Sequence, residues 1–200
     1  MLLVRSRQGF VLVALAALLL AFGLWLARKA EPLPPPAWLD DWQREVLEPL
    51  AEDRLSLGRL HAWHAGQLWL THDRHGRQLE YRASLITPEN TWSVVARLAL
   101  SDAEQDSLER ATGDGEDSRD QPLSQHLLKQ LAGEEVAAVT VVPSQPTNMG
   151  RVLISFGSPR LRLNTAQGEA WVYPKQGLTL MHRGGSLLWL RAVPCDELPN

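Results

Sequence analysis

The 200-residue sequence has one cysteine, two tyrosines and three phenylalanines. A lone Cys195, five residues from the C-terminus, excludes an internal disulfide framework and gives no cysteine set for a structural zinc site. It also excludes lipidation near the N-terminus, because a lipoprotein signal ends in a cysteine. No Gly-x-Ser-x-Gly elbow, phosphate loop, dinucleotide fingerprint or His-Glu-x-x-His helix occurs. No catalytic residue and no cofactor site is therefore nominated, and the chain reads as a non-enzyme.

Charge is missing from Gln8 to Ala27, a run bracketed by Arg7 and Arg28. Twenty residues of helix would be about 30 Å long, the thickness of a bilayer's hydrocarbon core. The run is thus expected to be a transmembrane helix over residues 8–27. A cleaved secretory signal is the competing reading, with Ala21-Phe22-Gly23 as a cleavage triplet, but Leu24, Trp25 and Leu26 continue the apolar run beyond it. An uncleaved signal anchor is preferred. Trp25, Arg28 and Lys29 are expected at the membrane interface, in contact with lipid. Arg5 and Arg7 nearly balance Arg28 and Lys29, so orientation follows from the short N-terminal stub. Residues 1–7 are placed in the cytoplasm, residues 28–36 form a proline-rich linker, and residues 37–200 form one extracytoplasmic domain. The expected address is the bacterial inner membrane, single-pass, with a periplasmic C-terminal domain.

No acidic residue precedes Glu31, so the segment after Lys29 carries sixteen basic and 23 acidic side chains, a formal charge of −7. That balance excludes a nucleic-acid partner. The domain is expected to be α+β, a mainly antiparallel sheet with a few packing helices. Trp38, Leu39, Trp42, Val46 and Leu47 share a helical face limited by Pro49. They predict core packing, with Trp38 and Trp42 on lipid headgroups as the alternative.

From Gly58 the period is two. Leu68 and Leu70, then Leu79, Tyr81, Ala83 and Leu85, predict a hairpin, and Trp92 to Leu100 a third strand. Ser101 and Glu104 form a capping box, and Leu123, Leu127, Leu128 and Leu131 predict an amphipathic helix. Val136 to Val142 reads as the central, doubly buried strand. Arg151 to Phe156, Glu169 to Tyr173, Leu178 to Met181 and Ser186 to Val193 are expected to add strands.

Two stretches could hold metal. His61-x2-His64 and His72-x2-His75 offer four imidazoles near predicted turns, which could converge on zinc or copper or lie apart at hairpin ends. Gly113 to Asp120, GDGEDSRD, is acidic but lacks calcium-loop spacing and a closing glutamate, so it reads as a solvated loop. Trp63, Trp69, Trp92, Trp171 and Trp189 fall in predicted strands, as core or as a sugar-binding platform.

Gly157-Ser158-Pro159, Trp171-x-Tyr173, Gly177-Leu178 and Gly185-x-Leu187 follow one another as landmarks. Over residues 149–193 this order resembles small bacterial envelope domains of the SmpA/OmlA outer-membrane lipoprotein type. The resemblance implies a small α+β envelope module that binds other proteins. Three functions follow as expectations: an anchored envelope protein that binds protein partners in assembly or as an accessory; a tethered capture or immunity-type protein for one soluble partner; or a metal-binding or hydrolytic domain using His61, His64, His72 and His75.

Overall fold

The computed structural model describes residues 15–25, 34–73, 76–101, 103, 104, 107, 110 and 120–198. The chain divides into two compact units, Met1–Pro34 and Pro35–Asn200. In the first unit a helix covers residues 15–25. The eleven described residues of it are about 16 Å long. Among the described residues no helix is long and apolar enough to cross a membrane. The expected transmembrane segment over residues 8–27 is therefore corrected, and with it the signal anchor, the single-pass topology and the inner-membrane address with a periplasmic domain. The uncharged sequence run is longer than the described helix. Within that helix Phe22 and Trp25 stack, with ring centroids 5.8 Å apart. Arg28 and Lys29 lie outside the described residues.

The fold class is corrected at the same point. The chain is mostly antiparallel sheet with a few short helices. In the second unit, α1 (Trp38–Trp42) runs into a π-helix (Gln43–Leu47) and α2 (Glu48–Ala51), and α3 (Leu57–Trp63) follows. Then come β1 (Gly66–Asp73), β2 (Gly76–Ile86), β3 (Thr91–Leu98), β4 (Gln121–Pro122), α4 (Gln125–Gln130), β5 (Val136–Pro143) and β6 (Thr147–Asn148). The chain closes with α5 (Met149–Phe156), β7 (Leu161–Thr165), β8 (Gly168–Tyr173), β9 (Leu178–Arg183) and β10 (Ser186–Ala192). The strands form one sheet in the order β4-β1-β2-β3-β5-β10-β9-β8-β7, and β6 pairs with β10 off this path. β5 stands at the centre, its main chain paired on both edges, but the expected burial of both faces is corrected: Val136, Val139 and Val141 are buried while Val142 on the other face is exposed.

The helices pack on one face of the sheet. Trp92, Val94, Ala96 and Leu98 of β3 and Leu178 and Leu180 of β9 point into that layer and join one hydrophobic cluster with Leu39, Trp42, Leu50, Leu57 and Leu60. Rings run through it in sequence. Trp92 meets Trp38 at 4.8 Å, Trp38 meets Trp42 at 6.3 Å, Trp42 meets Phe156 at 6.4 Å and Phe156 meets Tyr173 at 6.0 Å. Trp38 and Trp42 are buried in this layer, so they do not present their indoles to a headgroup region.

Two predicted elements change identity and one strand is added. Arg151 to Phe156 is helical, because Asn148 caps α5 by accepting from Gly150 N at 2.7 Å, and Met149, Val152 and Phe156 bury one face at helical spacing. Residues 57–63 are helical for the same reason: Ser56 caps α3 and Leu57 and Leu60 face the core. β7, given no element in the sequence reading, adds the last strand. The Ser101–Glu104 capping box is present, with Ser101 N donating to Glu104 Oε2 at 2.8 Å and Glu104 N donating back to Ser101 Oγ at 3.4 Å. Residues 113–119 of the acidic loop lie outside the described residues.

Candidate functional site

The first helices and the end of β2 enclose a groove of about 570 Å³, lined by Trp38, Asp41, Arg44, Glu45, Arg59, Ala62, Trp63, His64 and Leu85. Its first wall comes from a local backbone choice. Pro49 has no N–H and its ring would press on the carbonyl four residues back in a regular α-helix. The chain widens instead into the π-helix, where Glu48 N donates five residues back to Gln43 O. That turn carries Arg44 and Glu45.

The charges along this wall neutralise one another. Arg44 donates to Asp41 at 2.5 Å and to Glu45 at 3.3 Å, and Arg59 of α3 donates to Glu45 at 3.3 Å. Two guanidiniums thus share two carboxylates, and the groove's Asp, Glu and Arg side chains sum to zero. Solvent-exposed pairs of this kind contribute little to stability, so their consequence lies in what the groove attracts. The apolar lining comes from Trp38, Ala62, Trp63 and Leu85.

Hydrogen bonds from α3 to β2 fix the second wall. Tyr81 Oη donates to His64 O at 2.6 Å. With its one proton committed, the hydroxyl accepts from His61 Nδ1 at 2.8 Å. His64 Nε2 lies 2.7 Å from Ser84 O, and a carbonyl only accepts, so that nitrogen carries a proton. Each ring therefore carries a proton on the nitrogen that faces β2, Nδ1 of His61 and Nε2 of His64. Burial pushes the Tyr81 phenol up to about 12, offset in part by a hydrogen bond from the Gly66 backbone. Gly66 is required there, because a Cβ would stand 2.4 Å from Arg82 O and 2.7 Å from the Tyr81 ring.

Of the four histidines proposed from sequence, the three that are described do not assemble. His61 and His64 sit at the α3 end of the hairpin. His72 is exposed on β1 opposite Arg77, four residues beyond Leu68, the partner of Tyr81. That is about 13 Å along the strand. His75 lies outside the described residues, among which no group of three or more His, Cys, Asp or Glu side chains is placed to hold a metal ion. Of the strand tryptophans, Trp92 is buried, Trp69 lies 5.2 Å beneath the Arg82 guanidinium, and Trp171 lies between Arg162, at 4.3 Å, and the edge of His182, at 5.0 Å. Trp189 is half-buried on β10, and Trp63 ends α3 at the groove.

Sequence reading named Trp38 and His64 but missed Asp41, Arg44, Glu45 and Arg59. The i, i+3 spacing of Asp41 and Arg44 was a visible signal, whereas the Glu45–Arg59 pair spans 14 residues and needs the turn between α2 and α3. The landmarks of residues 149–193 occupy ordinary structural places. Gly157 ends α5, Trp171 and Tyr173 share the helix-side face of β8, Gly177 is left-handed at φ 61°, and Gly185 turns the β9–β10 hairpin. No family model, curated protein or solved structure matches this chain.

Proposed function

We propose that the chain is a non-catalytic protein-binding module whose groove takes an uncharged segment of a partner protein through one large apolar side chain. The observation that carries this reading is the pairing of a charge-neutral rim with an apolar Trp38–Ala62–Trp63–Leu85 lining. Tryptophan and arginine are the residue types that anchor protein interfaces, and a wall held by His61, Tyr81 and His64 needs little reordering on binding. Those imidazoles bond to a phenol and a main-chain carbonyl that hold β2 in place, which is a positioning role. The protein-binding role implied by the resemblance of residues 149–193 to SmpA/OmlA-type domains points the same way.

A displayed library of nine-residue peptides tests the reading. Selection should enrich segments with one large apolar anchor and no net charge, and Trp63→Ala should weaken their binding at least about tenfold, the scale of an interface anchor. Because the rim is neutral, affinity should change less than about twofold between low and high salt. Enrichment of charged segments, or binding indifferent to Trp63→Ala, would overturn it.

A further inference from the structure

The strand order ends in two different edges. At one end β4 covers β1 through Trp69↔Pro122 and Leu70↔Gln121, with Leu123 N donating to Leu68 O at 2.8 Å. Pro122 has no N–H to offer beyond that. At the other end β7 pairs with β8 alone among the described residues, and all five of its side chains are exposed. It carries no proline, no lysine and no bulge, the usual devices that keep an edge from pairing. Arg162, its one charged side chain, is engaged over the Trp171 ring on the helix side. Leu161 (39% exposed) and Leu163 (46%) lie on the opposite face, beside buried Val172, Ala170 and Met181. Main-chain groups and an apolar strip are thus presented together.

We propose that β7 is a self-association edge, pairing antiparallel with β7 of a second copy about a two-fold axis through Leu163. The side chains select this register. Centred on Leu163, the strand sets Leu163 against itself, Arg162 against the partner's Asn164 and Leu161 against the partner's Thr165, with no like charges opposed. Centred on Arg162, two guanidiniums face each other, which is destabilising. Centred on Asn164, the overlap within β7 shrinks and Leu163 faces threonine. A two-fold interface must be self-complementary, and the Leu163 register meets that condition. Five residues a side is a small contact beside the ~800 Å² per partner of a standard interface, so the dimer is weak and reversible.

Sedimentation equilibrium of the full chain in a mild non-ionic detergent tests this, the detergent keeping the apolar helix of residues 15–25 from associating. Wild type should show a reversible monomer–dimer equilibrium. Leu163→Lys and Leu163→Glu should each weaken it at least about tenfold, because like charges meet on the axis, while their equimolar mixture should restore a dimer. Ile154→Lys, a surface change of similar exposure on α5, should leave it unaltered. Unchanged thermal midpoints establish that the variants are folded. A monomeric wild type, single variants that associate as wild type does, or a mixture that fails to pair would each overturn the proposal.

Discussion

At the scale of single residues, the chain concentrates its specificity in a few polar groups placed against apolar surface. Asn90 shows how complete such a placement can be. Its Nδ2 donates to Gln145 O and Thr147 Oγ1, both at 3.0 Å, while its Oδ1 accepts from Thr91 N at 2.8 Å and Gln145 N at 3.1 Å. A turn residue in the sequence thereby becomes the tie between the β2–β3 connection and the β5–β6 connection. The two tyrosines are the other case. Burial pushes both phenols up to about 12, Tyr81 beside Gly66 and Tyr173 where Arg162 opposes the shift in part. A pKa raised on folding means that the folded state holds its proton more tightly than the unfolded chain. The stability tied to these phenols is full below pH 10 and is lost as pH rises from 10 toward 12. Because the chain has only two tyrosines, absorbance at 295 nm reads both directly. At pH 10.5 the native protein should show little tyrosinate and the denatured chain mostly tyrosinate. Ordinary titration near 10 in the native state would contradict the burial described.

Elements were legible where one local rule governed them. The β1–β2 hairpin follows from strict alternation, α4 from the spacing of its leucines, and β5 from a β-branched run too apolar for an edge. α5 was misread because Val152, Ile154 and Phe156 also alternate. The deciding signals were Asn148 before it, Gly157 after it, and an i, i+3, i+7 apolar face that alternation does not explain. β7 is not legible in the sequence because its pattern is short and its side chains are not buried. Glycines at turns give a prediction at this scale. Gly177 (φ 61°) and Gly184 (φ 57°) are both left-handed, but a Cβ on Gly177 would stand 2.0 Å from Val193 O, whereas one on Gly184 meets nothing within 4 Å. Gly184→Ala should therefore cost about 1 kcal/mol, the price of the backbone conformation alone. Gly177→Ala should cost at least about 2 kcal/mol more, since it must also break the 2.8 Å bond from Val193 N to Gly177 O. Urea midpoints of the two variants measure the difference, and equal midpoints would refute it.

At the scale of the whole molecule, the second unit is one sheet whose helix-side face carries the main hydrophobic cluster. The helices before β1, the α5 helix and strands from both halves of the sheet contribute to a single hydrophobic cluster. Nothing in that arrangement lets half of the sheet unfold while the other half keeps its packing. Denaturation of the Pro35–Asn200 unit within the full chain should accordingly be one transition, with coincident midpoints for tryptophan fluorescence and far-ultraviolet circular dichroism. Separate midpoints would show that the aromatic layer and the sheet are not one cooperative body.

The amino-acid sequence by itself determined the properties that depend on near neighbours: the β1–β2 hairpin, the Ser101–Glu104 capping box, the central position of β5 and the acidic balance of the chain after Lys29. It left open every property that depends on which distant segments meet. The packing partners of Trp38 and Trp42, the separation of His72 from His61 and His64, and the neutral rim of Asp41, Arg44, Glu45 and Arg59 belong to the tertiary structure. The reason is physical. Periodicity reports which face of an element is apolar, while the partner of that face is set by a sheet order that brings residues as far apart as Trp42 and Phe156 into contact.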